Sequence, residues 1–101
     1  MDVYSALADP TRRHVLDVLR GSEQPAMQIV QEFPHLSRPA VLKHLGILRE
    51  TGLVTQRAQG RERLYRLNPT PLRAVDDWLA HYRTYWTDAL DRLEHHLEEN
   101  P

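Results

Sequence analysis

The side chains best suited to chemistry in this sequence are cations placed around a well-marked helix start. Ser37 is a favourable N-cap residue, and Pro39 lies in the first turn, where its missing N–H costs no hydrogen bond. The guanidinium of Arg38 and the ammonium of Lys43 suit phosphate oxygens and the O6 and N7 atoms of guanine. The free N–H groups at such a helix start also bind phosphate. We therefore predict that this segment, about residues 37–51, contacts nucleic acid.

A helical wheel drawn at about 100° per residue divides this segment into two faces. The inward face is apolar and is formed by Val41, Leu45 and Leu48. The outward face includes Pro39 and Lys43 and two residues that are unusual on a surface, Leu42 and Gly46. Leu42 suits contact with a thymine methyl group, although a single exposed apolar residue is also ordinary. His44 falls nearer the core and is predicted to pack there.

A second group of cations lies in a predicted β-hairpin. Residues 53–57 and 63–67 have the composition of strands, and Gln59-Gly60 lies in the connection between them. We assign Arg57, Arg61 and Arg63 to phosphates or to the minor groove beside the helix. The alternative is a solvated hairpin without a partner. Arg12 and Arg13, which open the second helix, are weaker candidates for phosphate contact. A cation at a helix start is unfavourable, which gives a faint indication that these two residues serve a purpose other than the helix itself.

Histidines and carboxylates of the last predicted helix are candidates for a metal site. Asp77 and His81 are one helical turn apart, and His95 and Glu98 are three residues apart, which suits zinc or nickel. The simpler interpretation is a solvated polar face, so we predict no metal site and no cofactor. The chain also has no cysteine and no recognisable catalytic motif, so we do not expect an enzyme.

The length and charge of the chain restrict the class of protein. A chain of 101 residues suits one domain, and no apolar run approaches the length of a membrane span. The net charge is −1, but residues 1–68 contain ten Lys or Arg and seven Asp or Glu, whereas residues 69–101 contain three and seven. The cations are therefore concentrated in the part that we assign to nucleic acid. Because the N-terminus has no signal-peptide pattern, we expect a cytoplasmic protein.

The elements that position these residues are predicted to be mainly helical. A short helix over residues 2–8 precedes a second helix that begins at Asp9-Pro10, ends near Gly21 and has an inward face of Val15, Leu16 and Leu19. Residues 22–25 are predicted to form a loop. Residues 26–33 are predicted to form a helix whose inward face consists of Met27, Val30 and Phe33. The helix at 37–51, the hairpin at 53–67 and a long helix at about 71–97 complete the chain.

The last helix has an apolar seam longer than one small domain can cover. Its members recur at spacings of three and four residues: Leu72, Val75, Leu79, Tyr82, Trp86, Ala89, Leu93 and Leu97. This spacing is close to that of a coiled coil, so we predict that part of the seam packs against the same helix of a second chain. The aromatic residues Trp78, Tyr82, Tyr85 and Trp86 are alternatively candidates to line a pocket for an organic effector.

Three sequence motifs resemble those of the ArsR family of bacterial winged helix-turn-helix repressors. They are Ala6-Leu7-Ala8-Asp9-Pro10-Thr11-Arg12-Arg13, Ser37-Arg38-Pro39-Ala40-Val41-Leu42-Lys43-His44-Leu45 and Gly60-Arg61-Glu62-Arg63-Leu64-Tyr65. The resemblance covers nearly the whole chain, from about residue 3 to residue 97. It implies a winged helix-turn-helix fold, mainly α with a small β-hairpin, and a homodimer built on the first and last helices. On this basis we assign dimerisation to Val3, Leu7, Val75, Leu79, Tyr82, Trp86 and Leu93.

The resemblance also implies an operator with inverted half-sites and repression that a small effector releases. Two features differ from the family pattern. Many relatives bind metal through cysteines near the helix that corresponds to residues 37–51, and others through an Asp-x-His pair with a later His-x-x-His or His-x-x-Glu on the last helix. This chain has no cysteine and no Asp-x-His pair, whereas His95 and Glu98 fit the later half in form. The position of Leu42 is a serine in many relatives, so its hydrogen bond is absent here.

From these observations we predict a single domain over residues 1–101 that binds double-stranded DNA sequence-specifically as a homodimer and represses transcription. Three alternatives remain open. The first is a zinc- or nickel-responsive regulator that uses the last helix. The second is a winged-helix module that binds another protein, and the third is a sensor of an organic ligand.

Overall fold

The computed structural model of the chain describes residues 1–99, which form five α-helices and three β-strands. The elements in chain order are α1 Val3–Leu7, α2 Pro10–Leu19, β1 Gln24–Pro25, α3 Ala26–Gln31, α4 Arg38–Glu50, β2 Val54–Gln59, β3 Glu62–Leu67 and α5 Leu72–Glu99. The strands form one antiparallel sheet in the order β1-β3-β2. The predicted fold class, mainly α with a small β-hairpin, is confirmed. No helix within residues 1–99 is long and apolar enough to cross a membrane.

The hydrophobic core lies among α2, α3, α4 and the sheet, all within residues 1–71, which we call the body. The inward face of α2 is buried, because Val15, Leu16 and Leu19 are at most 8% exposed. The inward face of α4 is also buried, because Val41, Leu45 and Leu48 are at most 1% exposed. Burial of each such side chain stabilises a fold by about 1.5–3 kcal/mol. These contacts hold α4 firmly against the rest of the body and leave its opposite face to solvent.

The prediction of a loop over residues 22–25 is wrong at its end. Gln24 and Pro25 form β1, which pairs with Tyr65 and Leu64 of β3. A hairpin leaves the backbone groups of one β3 edge unpaired, and a short third strand satisfies some of them. Pro25 is compatible with this position because an edge strand can lack one N–H donor.

The prediction for the following helix is also partly wrong. Helix α3 ends at Gln31, and Met27 is 49% exposed, whereas Ile29 is fully buried. Phe33 is buried as predicted, but it lies beyond the helix end. Ile29 and Phe33 are four residues apart and point to the same side, so their burial rotates Met27 toward solvent.

The hairpin of β2 and β3, which we call the wing, occupies the predicted range, but its strands pair closer to the turn than predicted. Its register runs from Val54 opposite Leu67 to Gln59 opposite Glu62. Gly60 begins the two-residue turn with φ of +62°, a conformation that glycine adopts without strain. The turn therefore places Arg61 at the tip of the wing.

Helix α5 differs from the other four helices because it contains no buried residue. Its 28 residues span about 42 Å at 1.5 Å per residue. The radius of gyration is 18.4 Å, whereas a compact chain of this length has one of about 13 Å. The helix therefore extends well beyond the body, and its apolar seam stays open within one chain.

Candidate nucleic-acid interface

The exposed face of α4 is fixed by a cap at one end and by the core on the other side. The side-chain oxygen of Ser37 accepts a hydrogen bond from the N–H of Ala40 at 3.2 Å, so the helix begins where the sequence predicts. Arg38, Pro39 and Lys43 are exposed, and Leu42 is 36% exposed. Four of the predicted DNA-contacting residues thus lie on one side of α4, with the cap residue at its start.

His44 and Gly46 lie between the outward and inward sides of α4. His44 is half-buried, and its Nδ1 is enclosed without a hydrogen-bond partner among residues 1–99. This placement agrees with the prediction that His44 packs against the core. Gly46 is half-buried, and a Cβ there would contact nothing within 4 Å, so the surface beside it is open.

A groove of about 540 Å³ separates α3 and the start of α4 from the wing. Its lining includes Met27, Arg38, Leu42, Arg61, Arg63 and Tyr65. The structure therefore brings together predicted residues from two parts of the chain that are about 20 residues apart in sequence. The lining is mixed polar and apolar, and its three guanidinium groups outnumber the one carboxylate, that of Glu62, so the groove has an excess of positive charge that attracts anions. The sequence interpretation missed Met27, which it placed in the core.

Among the described residues, the cations around this groove are not neutralised within the chain. Arg38, Lys43, Arg61 and Arg63 form no ion pair with any residue of 1–99. Their charges are therefore available to phosphates. Arg and Lys side chains without an internal partner are the groups that release counterions when they bind DNA.

Arg57 is placed differently from the other wing cations. Its Nε donates to one carboxylate oxygen of Glu23 at 2.9 Å, and its Nη2 donates to the other at 2.8 Å. The hydrogen bonds from Arg57 lower the pKa of Glu23, and the carboxylate raises the pKa of Arg57. The prediction that Arg57 contacts DNA therefore meets a competing intramolecular partner, which the sequence did not indicate.

Arg12 and Arg13, the weaker phosphate candidates, bind carbonyl groups within the chain. Arg12 is buried and donates from Nε to the carbonyl oxygen of Ala6 at 2.8 Å and from Nη2 to that of Ser5 at 3.0 Å. Arg13 donates to the carbonyl oxygen of Leu7 at 2.7 Å. Both side chains therefore bind the open carbonyl groups at the end of α1 and are not free phosphate contacts.

Asp9 completes this junction between α1 and α2. Its carboxylate accepts hydrogen bonds from the N–H groups of Thr11 at 2.7 Å and Arg12 at 3.2 Å. Burial raises the pKa of Asp9, but these hydrogen bonds and the electrostatic interactions with His44 and Arg12 outweigh that effect, so the net shift of the pKa is downward. The carboxylate form of Asp9 is thus the form that stabilises the fold.

The residues assigned to dimerisation fall into two groups. Val3 and Leu7 of α1 are half-buried and pack against the core. On α5, Val75 and Leu79 are half-buried, whereas Tyr82, Trp86 and Leu93 are 44%, 50% and 54% exposed.

The two groups are joined by Tyr4, which the sequence interpretation missed. Its hydroxyl donates to the carbonyl oxygen of Ala74 at 3.2 Å. Its ring also contacts that of Trp78 edge to face, with the ring centres 6.1 Å apart. Helices α1 and α5 therefore form one continuous, partly apolar surface.

The metal candidates are dispersed along the exposed side of α5. His81 Nδ1 lies 3.2 Å from the carbonyl oxygen of Trp78, and His95 pairs with Glu99 at 2.8 Å instead of with Glu98. Asp77 is exposed and one turn from His81. Within residues 1–99 of a single chain, no three His, Asp or Glu side chains are grouped so that they could hold a metal ion.

Comparisons with known proteins agree on one class of protein. A family model described as a helix-turn-helix domain matches residues 7–57. The chain is 33% identical over 81 residues to the transcriptional repressor SdpR of Bacillus subtilis, a match that covers 80% of this chain and 89% of SdpR. It is 38% identical over 87 residues to the HTH-type transcriptional regulator Rv2034 of Mycobacterium tuberculosis, covering 86% of this chain and 78% of that protein.

A solved structure shows the same likeness in three dimensions. The crystal structure of an ArsR family transcriptional regulator superposes with a TM-score of 0.72 at 33% identity, covering 83% of this chain and 86% of that one. These three similar proteins are transcriptional regulators and not enzymes.

Proposed function

Because the chain belongs to the ArsR family of winged helix-turn-helix transcriptional regulators, we propose that it represses transcription as a homodimer bound to an inverted-repeat operator. The observation that carries this proposal is the groove between α4 and the wing, around which Arg38, Arg61 and Arg63 lie without internal ion pairs. The repressor SdpR supports the direction of regulation.

Helix α4 is the recognition helix in this proposal. Arg38 and Lys43 contact base edges or phosphates, and Ser37 with the first N–H groups of α4 holds a phosphate. Pro39 lies in the first turn and keeps the helix start rigid against the DNA backbone. Leu42 contacts a thymine methyl group. The burial of the opposite face supports this assignment, because it prevents α4 from rotating.

The wing contributes the cations at and near its tip. Arg61 lies in the turn, and Arg63 projects from β3 on the same face as Tyr65. Both residues face the groove and suit phosphates or the adjacent minor groove. Wing and recognition helix together then fix the register of the protein on the duplex.

A second chain covers α5 in this proposal. The same face of a partner chain packs against the exposed seam and buries it, including Trp86 and Leu93. Two body units related by a two-fold axis place their α4 helices in successive major grooves, about 34–36 Å apart.

The direct test begins with selection of genomic fragments by the purified protein, with and without added zinc or nickel. Affinity for the selected operator is then measured for Arg38→Ala and Lys43→Ala by fluorescence anisotropy. Each change is expected to weaken binding by about 10- to 100-fold, because a good base contact is worth about 1–3 kcal/mol. Arg92→Ala is the matched control, since Arg92 is an exposed cation on α5. Unchanged affinity in both α4 variants would contradict the proposal.

The thymine contact of Leu42 has its own test. Replacing each operator thymine in turn by deoxyuracil removes only the methyl group. One position per half-site is expected to lower the affinity of the unchanged protein by about two- to fivefold, an effect of less than 1 kcal/mol. Leu42→Ala should abolish the difference between thymine and deoxyuracil at that position. A difference that persists in Leu42→Ala would exclude this contact.

A further inference from the structure

The pairing of Arg57 with Glu23 joins two segments that the chain separates by 34 residues. Both carboxylate oxygens accept from the guanidinium, at 2.9 and 2.8 Å, which is the bidentate geometry of a well-oriented pair. The Arg57 side chain also donates to the side-chain oxygen of Gln59 at 3.1 Å. Arg57 is the one wing cation, among the described residues, that forms a direct ion pair with a carboxylate; Arg66 of β3 acts on Glu23 only through the longer-range attraction of its charge, which also lowers the pKa of Glu23.

The sheet register shows which face of the wing carries this pair. Arg57 on β2 lies opposite Leu64 on β3, which in turn lies opposite Pro25 on β1. Successive residues of a strand point to opposite faces. Arg57 therefore lies on the face opposite to Tyr65 and Arg63, which line the groove beside α4.

The same register shows what the pair connects. Strand β2 forms one edge of the sheet, and Glu23 immediately precedes β1 at the other edge. The pair therefore spans β3 and ties the outer wing strand to the segment that leads into α3. Strand β1 pairs with β3 through only two residues, so backbone pairing alone gives the wing a narrow attachment there.

We propose that Glu23 and Arg57, which we call the wing brace, are positioning residues that hold the wing so that Arg61 and Arg63 lie beside the recognition helix. In this role Arg57 acts through the wing and does not contact DNA. The proposal rests on the proposed function, since it concerns how the DNA-binding surface is held. It replaces the direct phosphate contact that the sequence indicated for Arg57.

The energetic argument favours positioning over stability. The side chains of Arg57 and Glu23 are 57% and 26% exposed, and ion pairs of this kind contribute little to the free energy of unfolding. A small preference for one wing orientation nevertheless affects the affinity for DNA. The observed affinity falls with the fraction of molecules whose wing is not in the orientation that contacts phosphate. A symmetric dimer contains two such wings.

The test measures operator affinity as a function of salt concentration for Glu23→Gln, Arg57→Gln and the double variant. Each single variant is expected to bind about three- to tenfold more weakly, and the double variant no more weakly than either single one. The slope of log affinity against log salt should stay unchanged, because no phosphate contact is lost. The matched control is Arg61→Gln, for which the slope should fall by about 0.9 per protomer.

Exchanging the two charges tests whether binding depends on the ion pair itself and not on which of the two residues carries the positive charge. Glu23→Arg combined with Arg57→Glu should recover most of the lost affinity. A slope that falls in Arg57→Gln as it does in Arg61→Gln would show a direct phosphate contact and overturn the brace. Tighter binding by Glu23→Gln would overturn it as well, since Glu23 would then compete with DNA for Arg57, and so would unchanged affinity in both variants. In each of these cases the losses in Arg38→Ala and Lys43→Ala still report separately on the proposed function.

Discussion

The body and α5 carry similar apolar patterns but use them in opposite ways. In α4, Leu45 and Leu48 repeat at helical spacing and are at most 1% exposed, because α2, α3 and the sheet cover them. In α5, Trp86 and Leu93 repeat at the same kind of spacing and are at least half exposed. One chain therefore completes the core of the body but leaves the apolar seam of α5 open. Under the proposed function, we expect the stability of the body to be local and that of α5 to depend on a second copy.

The largest expected effect is on the body. Leu45→Ala removes a fully packed side chain and should lower the free energy of unfolding by about 3 kcal/mol, the usual cost of a core leucine. Chemical denaturation measures this loss. Leu90→Ala, on the exposed face of α5, is the comparison: its effect should depend on protein concentration, because association contributes to stability only by mass action. A loss of stability in Leu90→Ala that does not vary with protein concentration would contradict the proposed difference between the body and α5.

The next effect is on association. Trp86→Asp places a charge in the centre of the proposed interface and should raise the dimer dissociation constant by about 100-fold or more. Sedimentation equilibrium measures it. Thr84→Asp adds the same charge to the opposite side of α5, about 160° away on a helical wheel, and should leave association nearly unchanged. Equal dissociation constants for the two variants would show that the apolar face of α5 does not form the interface.

A smaller effect is expected at α1, which joins the two regions. Arg12→Met removes the buried side-chain donor to the carbonyl oxygen of Ala6, together with the hydrogen bond to Ser5 and the ion pair with Asp9, and should cost about 2 kcal/mol of stability. Because α1 also contacts α5 through Tyr4, dimerisation should weaken together with stability. Arg13→Met, which removes one exposed hydrogen bond, is the control and should cost clearly less. Thermal denaturation and sedimentation equilibrium of the two variants test this prediction. Equal losses in Arg12→Met and Arg13→Met would contradict it.

The smallest effect concerns pH. Asp9 has a pKa below its unfolded value of 3.8, so its ionised form stabilises the folded chain above that pH. This contribution is lost as the pH falls through the lower pKa of the folded state. Asp9→Ala should therefore cost about 1 kcal/mol at pH 7, as loss of an N-cap does, and less in strong acid. Urea denaturation of the unchanged protein and of Asp9→Ala, at pH 7 and in acid, measures this difference in the free energy of unfolding. The same difference at both pH values would contradict the prediction.

The sequence predicts best those features that neighbouring residues determine. The start of α4 depends on Ser37 and Pro39, and its inward face depends on residues three and four apart, so both follow from local patterns. The spacing of the α5 seam likewise shows an unusually long apolar face. The helix is observed from Leu72 to Glu99, close to the predicted range of about 71–97.

Features that depend on distant partners could not be predicted in this way. Strand β1 exists only because β3 has an edge to pair, and Glu23 meets Arg57 only after the sheet has formed. Residues 26–33 contain two sets of apolar residues at helical spacing, and only packing selects Ile29 over Met27 for burial. Met27 lines the groove and Glu23 belongs to the wing brace, so these two errors concern the proposed DNA-binding surface.

The most direct measurement of the central claim is a hydroxyl-radical footprint of the full chain on its selected operator. The account predicts two protected patches on one side of the duplex, with centres about 10 base pairs apart and related by the two-fold symmetry of the site. It also predicts two chains per operator. A single protected patch, or one chain bound per site, would contradict a dimer that presents two α4 helices to successive major grooves.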